Sequence, residues 1–122
     1  MKKILVVDDS ELNVLFVSTI LEKDYAIYTA FSGEEALRMV QKEIPHLIIL
    51  DIVMRKVSGL DVCKAIRENP KTANIPIILL TATNEALAER GYRSGADEVL
   101  GKPIKPERLK EKISKLLQRP II

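Results

Sequence analysis

The chain has 122 residues, 47% of them hydrophobic and 30% charged, which fits one folded globular domain and argues against disorder. Its net charge of +2 is too small to indicate direct binding to nucleic acid. The longest strongly apolar run, Leu47–Leu50, is far too short to cross a bilayer, so no contact with a membrane is expected.

Five short apolar segments alternate with five amphipathic segments along the chain. The apolar segments predict strands at Lys3–Val7, Ala26–Ala30, Leu47–Leu50, Ile75–Leu80 and Asp97–Leu100. The amphipathic segments predict helices near residues 10–22, 33–43, 58–69, 84–93 and 105–118. Nearly continuous apolar strands that alternate with helices are typical of a parallel sheet covered on both faces. We therefore expect a doubly wound α/β fold.

Residues that begin or end helices stand between these segments. Ser10 is a candidate N-cap of the first helix, and Ser58 and Gly59 open the third. Pro70 ends the third helix, and Pro76 is expected at the start of the fourth strand, where a missing N–H is best tolerated.

The last predicted helix has two stripes of different character. Its buried stripe comprises Leu109, Ile113, Leu116 and Leu117. Its basic stripe comprises Lys105, Arg108, Lys112, Lys115 and Arg119. The simplest interpretation of the basic stripe is a solvated face. The alternative is a docking surface for an acidic partner, or for Glu85 and Glu89 on the fourth helix of a second copy.

Cysteine and histidine occur once each. Cys63 lies on the apolar face of the third helix, which predicts a buried free thiol in a reducing compartment, with the cytoplasm as the expected location. Export is not expected, because the apolar stretch near the N-terminus is short and ends in Asp8 and Asp9. His46 flanks a strand and is expected to be structural, and a single histidine excludes a histidine-rich metal site.

Polar residues follow the predicted strands at their carboxyl ends, where doubly wound sheets gather functional groups. They are Asp8 and Asp9 after the first strand, Asp51 after the third, Thr81 after the fourth and Lys102 after the fifth. Three carboxylates about 4 Å apart repel by roughly 1 kcal/mol per pair in water, and by about 4 kcal/mol at an effective dielectric near 20. Such a cluster needs cations. Lys102 supplies one, and oxygen ligands favour Mg²⁺ as the other, an arrangement suited to phosphoryl transfer onto a carboxylate.

Each of these residues has a simpler interpretation when taken alone. Asp8 and Asp9 suit the N-terminus of any helix, and a strand-end aspartate such as Asp51 often caps a loop. Thr81 is ordinary in a strand, and Lys102 alone would be a surface lysine. Only their joint position at one edge of one sheet favours a functional site.

Five motifs at these strand ends occur together and in order. They are Ile4-Leu-Val-Val-Asp8-Asp9-Ser10, Leu47-Ile-Ile-Leu-Asp51-Ile-Val-Met54, Ser58-Gly59-Leu60, Leu80-Thr81-Ala82, and Gly95-Ala-Asp97 through Lys102-Pro103. In these motifs the chain resembles a response-regulator receiver domain of two-component signalling. The resemblance covers residues 1–122 as a single domain and implies a flavodoxin-like (βα)5 fold with strand order 2-1-3-4-5.

The resemblance implies roles for the residues at the strand ends. Asp51 is the phosphoacceptor, and Mg²⁺ is held by Asp8, Asp9, Asp51 and the backbone carbonyl of Val53. Thr81 bonds one phosphoryl oxygen. Lys102 pairs with another, aimed by a bend after a cis peptide bond to Pro103.

The resemblance also implies partners. The phosphodonor is a phosphohistidine of a sensor histidine kinase or of a histidine phosphotransfer protein. Phosphorylation switches partner binding, with an output domain or a homodimer through the fourth and fifth helices as candidates. The domain turns over no independent substrate, so it is not expected to be an enzyme.

Three residues depart from the receiver pattern. Arg55 replaces a common proline, which predicts a looser and more basic loop after Asp51, and Ile104 replaces a frequent phenylalanine. Val99 replaces the aromatic residue that moves together with the threonine in this family. We therefore expect a weaker conformational signal, or one that leaves through the loops near Arg55 and Thr83.

Three other functions are alternatives to the phosphoacceptor. A haloacid-dehalogenase-like phosphatase would need an acid at the position of Val53 and a cap domain. A flavin carrier would need a hydroxyl- and glycine-rich first loop, where Asp8 and Asp9 would repel phosphate. A pseudo-receiver, a protein-interaction module independent of phosphorylation, is opposed by Asp51 and Lys102, although Val99 is compatible with it.

Overall fold

The computed structural model of the chain describes residues 1–82 and 85–118. Its strands are β1 (Lys3–Val7), β2 (Ala26–Ala30), β3 (Leu47–Asp51), β4 (Ile77–Thr81) and β5 (Glu98–Gly101). Its helices are α1 (Glu11–Leu21), α2 (Gly33–Lys42), α3 (Gly59–Glu68), α4 (Glu85–Arg93) and α5 (Pro106–Leu117). The predicted alternation is confirmed. The bounds of β1 and β2 agree with the prediction, and those of the other strands differ by one or two residues.

The five strands form one parallel sheet in the order β2-β1-β3-β4-β5. The chain steps from β1 outward to β2 and then crosses to β3 on the other side of β1. The order therefore reverses between β1 and β3, which is where such sheets bind ligands. The carboxyl ends of these two central strands carry the predicted acidic residues. The doubly wound fold and the strand order are as expected.

Alternate residues of the central strands enter two separate cores because successive side chains point to opposite faces. One face packs against α2 and α3, with core residues that include Leu5, Val7, Ile48, Leu50, Ile77, Leu79, Val40, Val62 and Ile66. The other face packs against α1 and α5, with core residues that include Ile4, Val6, Leu47, Ile49, Ile78, Leu80, Val17, Leu109 and Ile113. Burial on both faces explains why the central strands read as continuous apolar runs.

Serine side chains begin three of the helices. The hydroxyl of Ser10 accepts from the N–H of Asn13, Ser32 caps α2 in the same way, and Ser58 accepts from Leu60. The caps predicted at Ser10 and Ser58 are thus confirmed. Pro76 lies just before β4 and not within it.

The remaining single-residue predictions also have outcomes. Cys63 is a buried free thiol, and burial raises its pKa. His46 is structural, since its Nδ1 accepts from the N–H of Lys3 at 2.9 Å. Along α5, Leu109 and Ile113 are fully buried, while Leu116 and Leu117 are partly buried.

Most of the basic stripe on α5 is exposed, whereas Lys112 lies 3.5 Å from Glu98. Arg119 of that stripe and Thr83 of the predicted output loop lie outside the described residues. Within the described ranges, no helix combines the length and the apolar character that would be needed to cross a membrane.

A mostly buried arginine connects α3 to the segments on either side of β4. Arg67 Nε donates to the carbonyl of Gly95 at 2.8 Å, and Nη1 donates to the carbonyls of Ala73 and Ile75 at 3.1 and 2.6 Å. Its Nη2 lies 2.9 Å from Asp97 Oδ2. Gly95 has φ +112°, and a Cβ there would lie 2.6 Å from Arg67 Cγ, so the loop can approach the arginine only with glycine at this position.

We predict that Arg67→Met lowers the free energy of unfolding by about 3 kcal/mol, because it leaves three carbonyls and one carboxylate without their charged donor. The control is Arg38→Met at an exposed position of α2, for which a change within about 0.5 kcal/mol is expected. Urea denaturation measures both. Equal losses in the two variants would contradict this account of Arg67.

Candidate functional site

The carboxyl ends of the strands bring the predicted site residues to one edge of the sheet. Asp51 is the last residue of β3 and Thr81 the last residue of β4. Asp8 follows β1 directly, and its N–H donates to the carbonyl of Ala30 at the end of β2. The N–H of Lys102 donates to the carbonyl of Thr81 at 2.7 Å. Parallel pairing thus converts residues far apart in sequence into neighbours.

The start of α3 packs closely behind Asp51. A Cβ on Gly59 would lie 2.1 Å from the carbonyl oxygen of Asp51, so only glycine permits this approach. The N–H of Gly59 also donates to the carbonyl of Ile52 at 2.8 Å. The sequence predicts Gly59 at the start of the third helix. In the structure, it also fixes the backbone that carries Asp51.

One ammonium group contacts two buried carboxylates. Lys102 Nζ lies 2.9 Å from Asp51 Oδ1 and 3.9 Å from Asp8 Oδ2. The exposed fractions of Asp51 and Asp8 are only 5% and 4%. The other oxygen of Asp8, Oδ1, accepts from the N–H of Ser10 at 2.9 Å. The structure therefore brings Asp8, Asp51 and Lys102 together as the sequence predicted.

Burial raises the pKa of the Asp51 carboxyl above its ordinary value. The hydrogen bond and the positive charge of Lys102 act in the opposite direction, while the charges of Asp8 and Asp9 raise the pKa further. The raised value shows that the one ammonium does not fully offset the cost of burying charge beside two other acids.

Asp9 makes a different set of contacts. Its Oδ2 accepts from the backbone N–H of Arg55 at 2.8 Å and lies 3.4 Å from Arg55 Nε. The Arg55 side chain is otherwise 86% exposed. The sequence predicted a looser, more basic loop at this position. It did not predict the bond to Asp9. The absence of proline at position 55 is the one relevant signal, since proline has no N–H to donate.

The donor set consists of oxygen atoms only, which fits a hard divalent ion such as Mg²⁺. Within residues 1–82 and 85–118, however, no three acidic, cysteine or histidine side chains already form a metal-binding group. Lys102 faces Asp8 and Asp51, and Asp9 is bonded to Arg55. The predicted ligands share one edge, but the protein's own cations contact their oxygens.

Thr81 and Pro103 complete this edge. Thr81 is buried, and its hydroxyl donates to the carbonyl of Ala82 at 2.9 Å. The bond between Lys102 and Pro103 is cis, as the resemblance implied. A cleft of about 300 Å³ opens beside Lys102, and its other lining residues are Leu100, Gly101, Pro103, Ile104, Lys105 and Arg108. Lys102, Lys105 and Arg108 make its lining cationic, which suits an anionic ligand.

An aromatic residue that the sequence analysis missed stands beside Val99. The hydroxyl of Tyr92 on α4 accepts from the N–H of Val99 at 3.2 Å. A Cβ on Gly91 would lie 2.9 Å from Val99 Cγ2, so α4 sits directly on this valine. The contact between position 99 and α4 thus includes a hydrogen bond to a tyrosine of that helix.

The first turns of α1 expose apolar side chains close to the site. Leu12, Leu15 and Phe16 have exposed fractions of 76%, 63% and 50%. They are spaced three and four residues apart, so they share one side of the helix. Because α1 begins two residues after Asp9, this apolar surface borders the acidic edge.

Comparison with known proteins agrees with this geometry. Residues 4–114 match the family model described as the response regulator receiver domain. The chain is 39% identical over 120 residues to the alkaline phosphatase synthesis transcriptional regulatory protein PhoP of Bacillus subtilis, covering 97% of this chain and 49% of that protein. It is 35% identical over 116 residues to histidine kinase P4 of Formosa agariphila, covering 94% of this chain and 8% of the kinase.

A solved structure shows the same fold. The chemotaxis protein CheY4 of Vibrio cholerae superposes with a TM-score of 0.89 at 35% identity, over 95% of this chain and 98% of that one. The chain spans half or less of the length of the two curated relatives. The matched length, the strand order and the sequence identity lead to one conclusion: the chain belongs to the response regulator receiver domains, the signalling modules of two-component systems.

Proposed function

We propose that this chain is a phosphoacceptor in which Asp51 receives a phosphoryl group from a phosphohistidine of a sensor histidine kinase or a histidine phosphotransfer protein. Phosphorylation by a kinase is the general function of response regulator receiver domains. The proposal extends the receiver over residues 1–122, places it in the cytoplasm and assigns it no independent substrate. One observation carries it: the ammonium of Lys102 contacts two buried carboxylates at the ligand-binding edge of the sheet.

The proposed step is a displacement at phosphorus. An oxygen of ionised Asp51 forms a bond to phosphorus while the bond between phosphorus and the imidazole nitrogen of the donor breaks. The electron pair of that bond stays on the imidazole, which then takes a proton. The product is an aspartyl phosphate. The charges of the phosphoryl oxygens need positive partners as the bonds change.

Two residues of this chain supply hydrogen-bond donors to those oxygens. Lys102 moves its ammonium from the Asp51 carboxylate to a phosphoryl oxygen once Asp51 has reacted. Thr81 donates to another phosphoryl oxygen after giving up its bond to Ala82. Both residues border Asp51, so neither change requires a rearrangement of the sheet.

Asp8, Asp9, Asp51 and the backbone carbonyl of Val53 are the proposed ligands of Mg²⁺. The acidic cluster supports this assignment, because its oxygen-only donors and mutual repulsion favour a hard divalent cation. When bound, Mg²⁺ would neutralise charge on the phosphoryl group. Of the proposed ligands, Asp9 is the one bonded to Arg55, through both the backbone N–H and the Nε of that residue.

The exposed apolar side of α1 supports a docking place for the phosphodonor protein. Leu12, Leu15 and Phe16 are exposed on α1, which begins two residues after Asp9, so a partner seated on them would hold its phosphohistidine near Asp51. The surface of α4 and α5 is the proposed contact for an output domain or a second copy. Its acidic residues Glu85 and Glu89 and its basic residues Lys105 and Arg108 are exposed.

We predict that acetyl phosphate with MgCl₂ adds one phosphoryl group to the wild-type protein and none to Asp51→Asn, because the amide is not a nucleophile. Intact-protein mass spectrometry measures the addition, with and without Mg²⁺. Asp24→Asn, which changes an exposed acid just before the amino end of β2, at the edge of the sheet opposite Asp51, is the matched control and should be modified like the wild type. Unmodified wild type would instead favour a phosphorylation-independent interaction module.

Asp51→Asn should also stabilise the metal-free protein near neutral pH. Because the native pKa of Asp51 is raised, its ionised form opposes folding above that pKa, and the penalty disappears as the pH falls through it. We expect a gain on the order of 1 kcal/mol, the repulsion of one carboxylate pair in water, or about 4 °C in melting temperature. Thermal unfolding at several pH values measures it. The gain must shrink on acidification, and a gain independent of pH would contradict the explanation.

Without an aromatic side chain at position 99, the response of α4 and α5 to phosphorylation should be weak. We predict that beryllofluoride with MgCl₂ shifts the amide signals of Asp51 and Lys102 strongly and those of α5 only slightly. Two-dimensional amide NMR measures this, and Val99→Tyr is the comparison that restores the aromatic. Full-sized shifts on α4 and α5 of the wild type would rule the prediction out.

A further inference from the structure

The loop after β3 places a cation against one of the proposed magnesium ligands. The N–H of Arg55 and its Nε both approach Asp9 Oδ2, at 2.8 and 3.4 Å. The backbone bond orients the carboxylate and leaves its other oxygen available, since a carboxylate has about four acceptor positions. The guanidinium adds a positive charge beside the carboxylate of Asp9, which is a proposed ligand of the metal.

The guanidinium of Arg55 is exposed enough to move away from Asp9, and it lies close enough to Asp9 to affect the binding of a second cation. Its side chain is 86% exposed, so it can swing into solvent at little cost. While it stays, it offsets part of the charge of Asp9 and repels a second cation. An exposed ion pair of this kind weakens as salt is added.

We propose that Arg55 is a positioning residue that competes with Mg²⁺ for Asp9 and thereby lowers the affinity of the acidic cluster for the metal. This inference rests on the proposed function, because it takes the acidic cluster as a magnesium site. Two side chains of the protein then supply positive charge to the acidic cluster. Lys102 contacts Asp51 and Asp8, and Arg55 contacts Asp9. Mg²⁺ at Asp9 would displace the guanidinium into solvent by charge repulsion, while the bond from the Arg55 N–H to Asp9 is retained.

The size of the effect follows from Coulomb's law. A single and a double positive charge about 6 Å apart in water repel enough to change a binding constant roughly tenfold. Screening at physiological ionic strength reduces this to about threefold, and about 1 M salt nearly abolishes it. The competition should therefore be visible at low salt and absent at high salt.

Three variants separate the contact from general charge. Arg55→Met removes the guanidinium but keeps an unbranched apolar stem and the backbone N–H that donates to Asp9. Arg55→Lys keeps the charge. Lys56→Met removes one positive charge from the next residue, which is exposed and makes no described bond to Asp9.

The experiment is a titration of each variant of the 122-residue chain with MgCl₂, followed by the amide NMR signal of Ser10, whose N–H donates to Asp8. We expect Arg55→Met to bind Mg²⁺ about threefold more tightly than the wild type at 0.15 M salt. The gain should rise towards tenfold at low salt and vanish near 1 M. Arg55→Lys should stay within about twofold of the wild type, and Lys56→Met should gain less than Arg55→Met.

Several results would overturn the proposal. Equal affinity of Arg55→Met and wild type, with both binding Mg²⁺, would refute the competition and leave the magnesium site intact. An equal gain in Lys56→Met would show that net charge acts instead of the contact with Asp9. Failure of every variant and of the wild type to bind Mg²⁺ would refute the metal site itself, and the competition with it.

Discussion

The contact between one ammonium group and two buried carboxylates is the interaction on which the site depends. Lys102 directly follows β5, and its Nζ lies 2.9 Å from Asp51 Oδ1 and 3.9 Å from Asp8 Oδ2. Without this cation, burial of two acids at the end of adjacent strands would be costly. The raised pKa of Asp51 indicates that the compensation is partial. Lys102 therefore does not fully neutralise the carboxylates at this edge of the sheet. This supports the proposal that a metal ion binds here and that Asp51 accepts a phosphoryl group.

Most of this arrangement could be predicted from the sequence because it follows from topology. Apolar runs identify β1, β3 and β4, and a doubly wound sheet brings their carboxyl ends to one edge. The polar residues at the ends of those runs, Asp8, Asp51 and Thr81, must then lie near each other. Strand bounds were less certain, as in the fourth strand, which starts at Ile77 and not at Ile75. The hydrophobic pattern specifies which face is buried, but it does not specify where backbone pairing ends.

The contacts that the sequence did not reveal depend on loop paths and side-chain rotamers. Arg55 was recognised as a departure from the receiver pattern, but its bond to Asp9 needs the course of the loop after β3. Tyr92 reaches Val99 across from α4, a contact between elements that periodicity cannot specify. The hydrogen bond of Thr81 to Ala82 is a choice of rotamer. Residue types and topology therefore predict which side chains meet at this edge of the sheet, whereas the bonds that these side chains make depend on loop paths and rotamers.

The electrostatic unit of Asp51, Asp8 and Lys102 is tested most directly by titrating the Asp51 carboxyl. Carbon-13 NMR of labelled aspartate in metal-free buffer gives the apparent pKa of Asp51 in the wild type and in Lys102→Met, with the amide spectrum as a check of folding. Because Lys102 lowers this pKa in the native protein, its removal should raise the value further. An unchanged or lower pKa in a folded Lys102→Met variant would contradict the account.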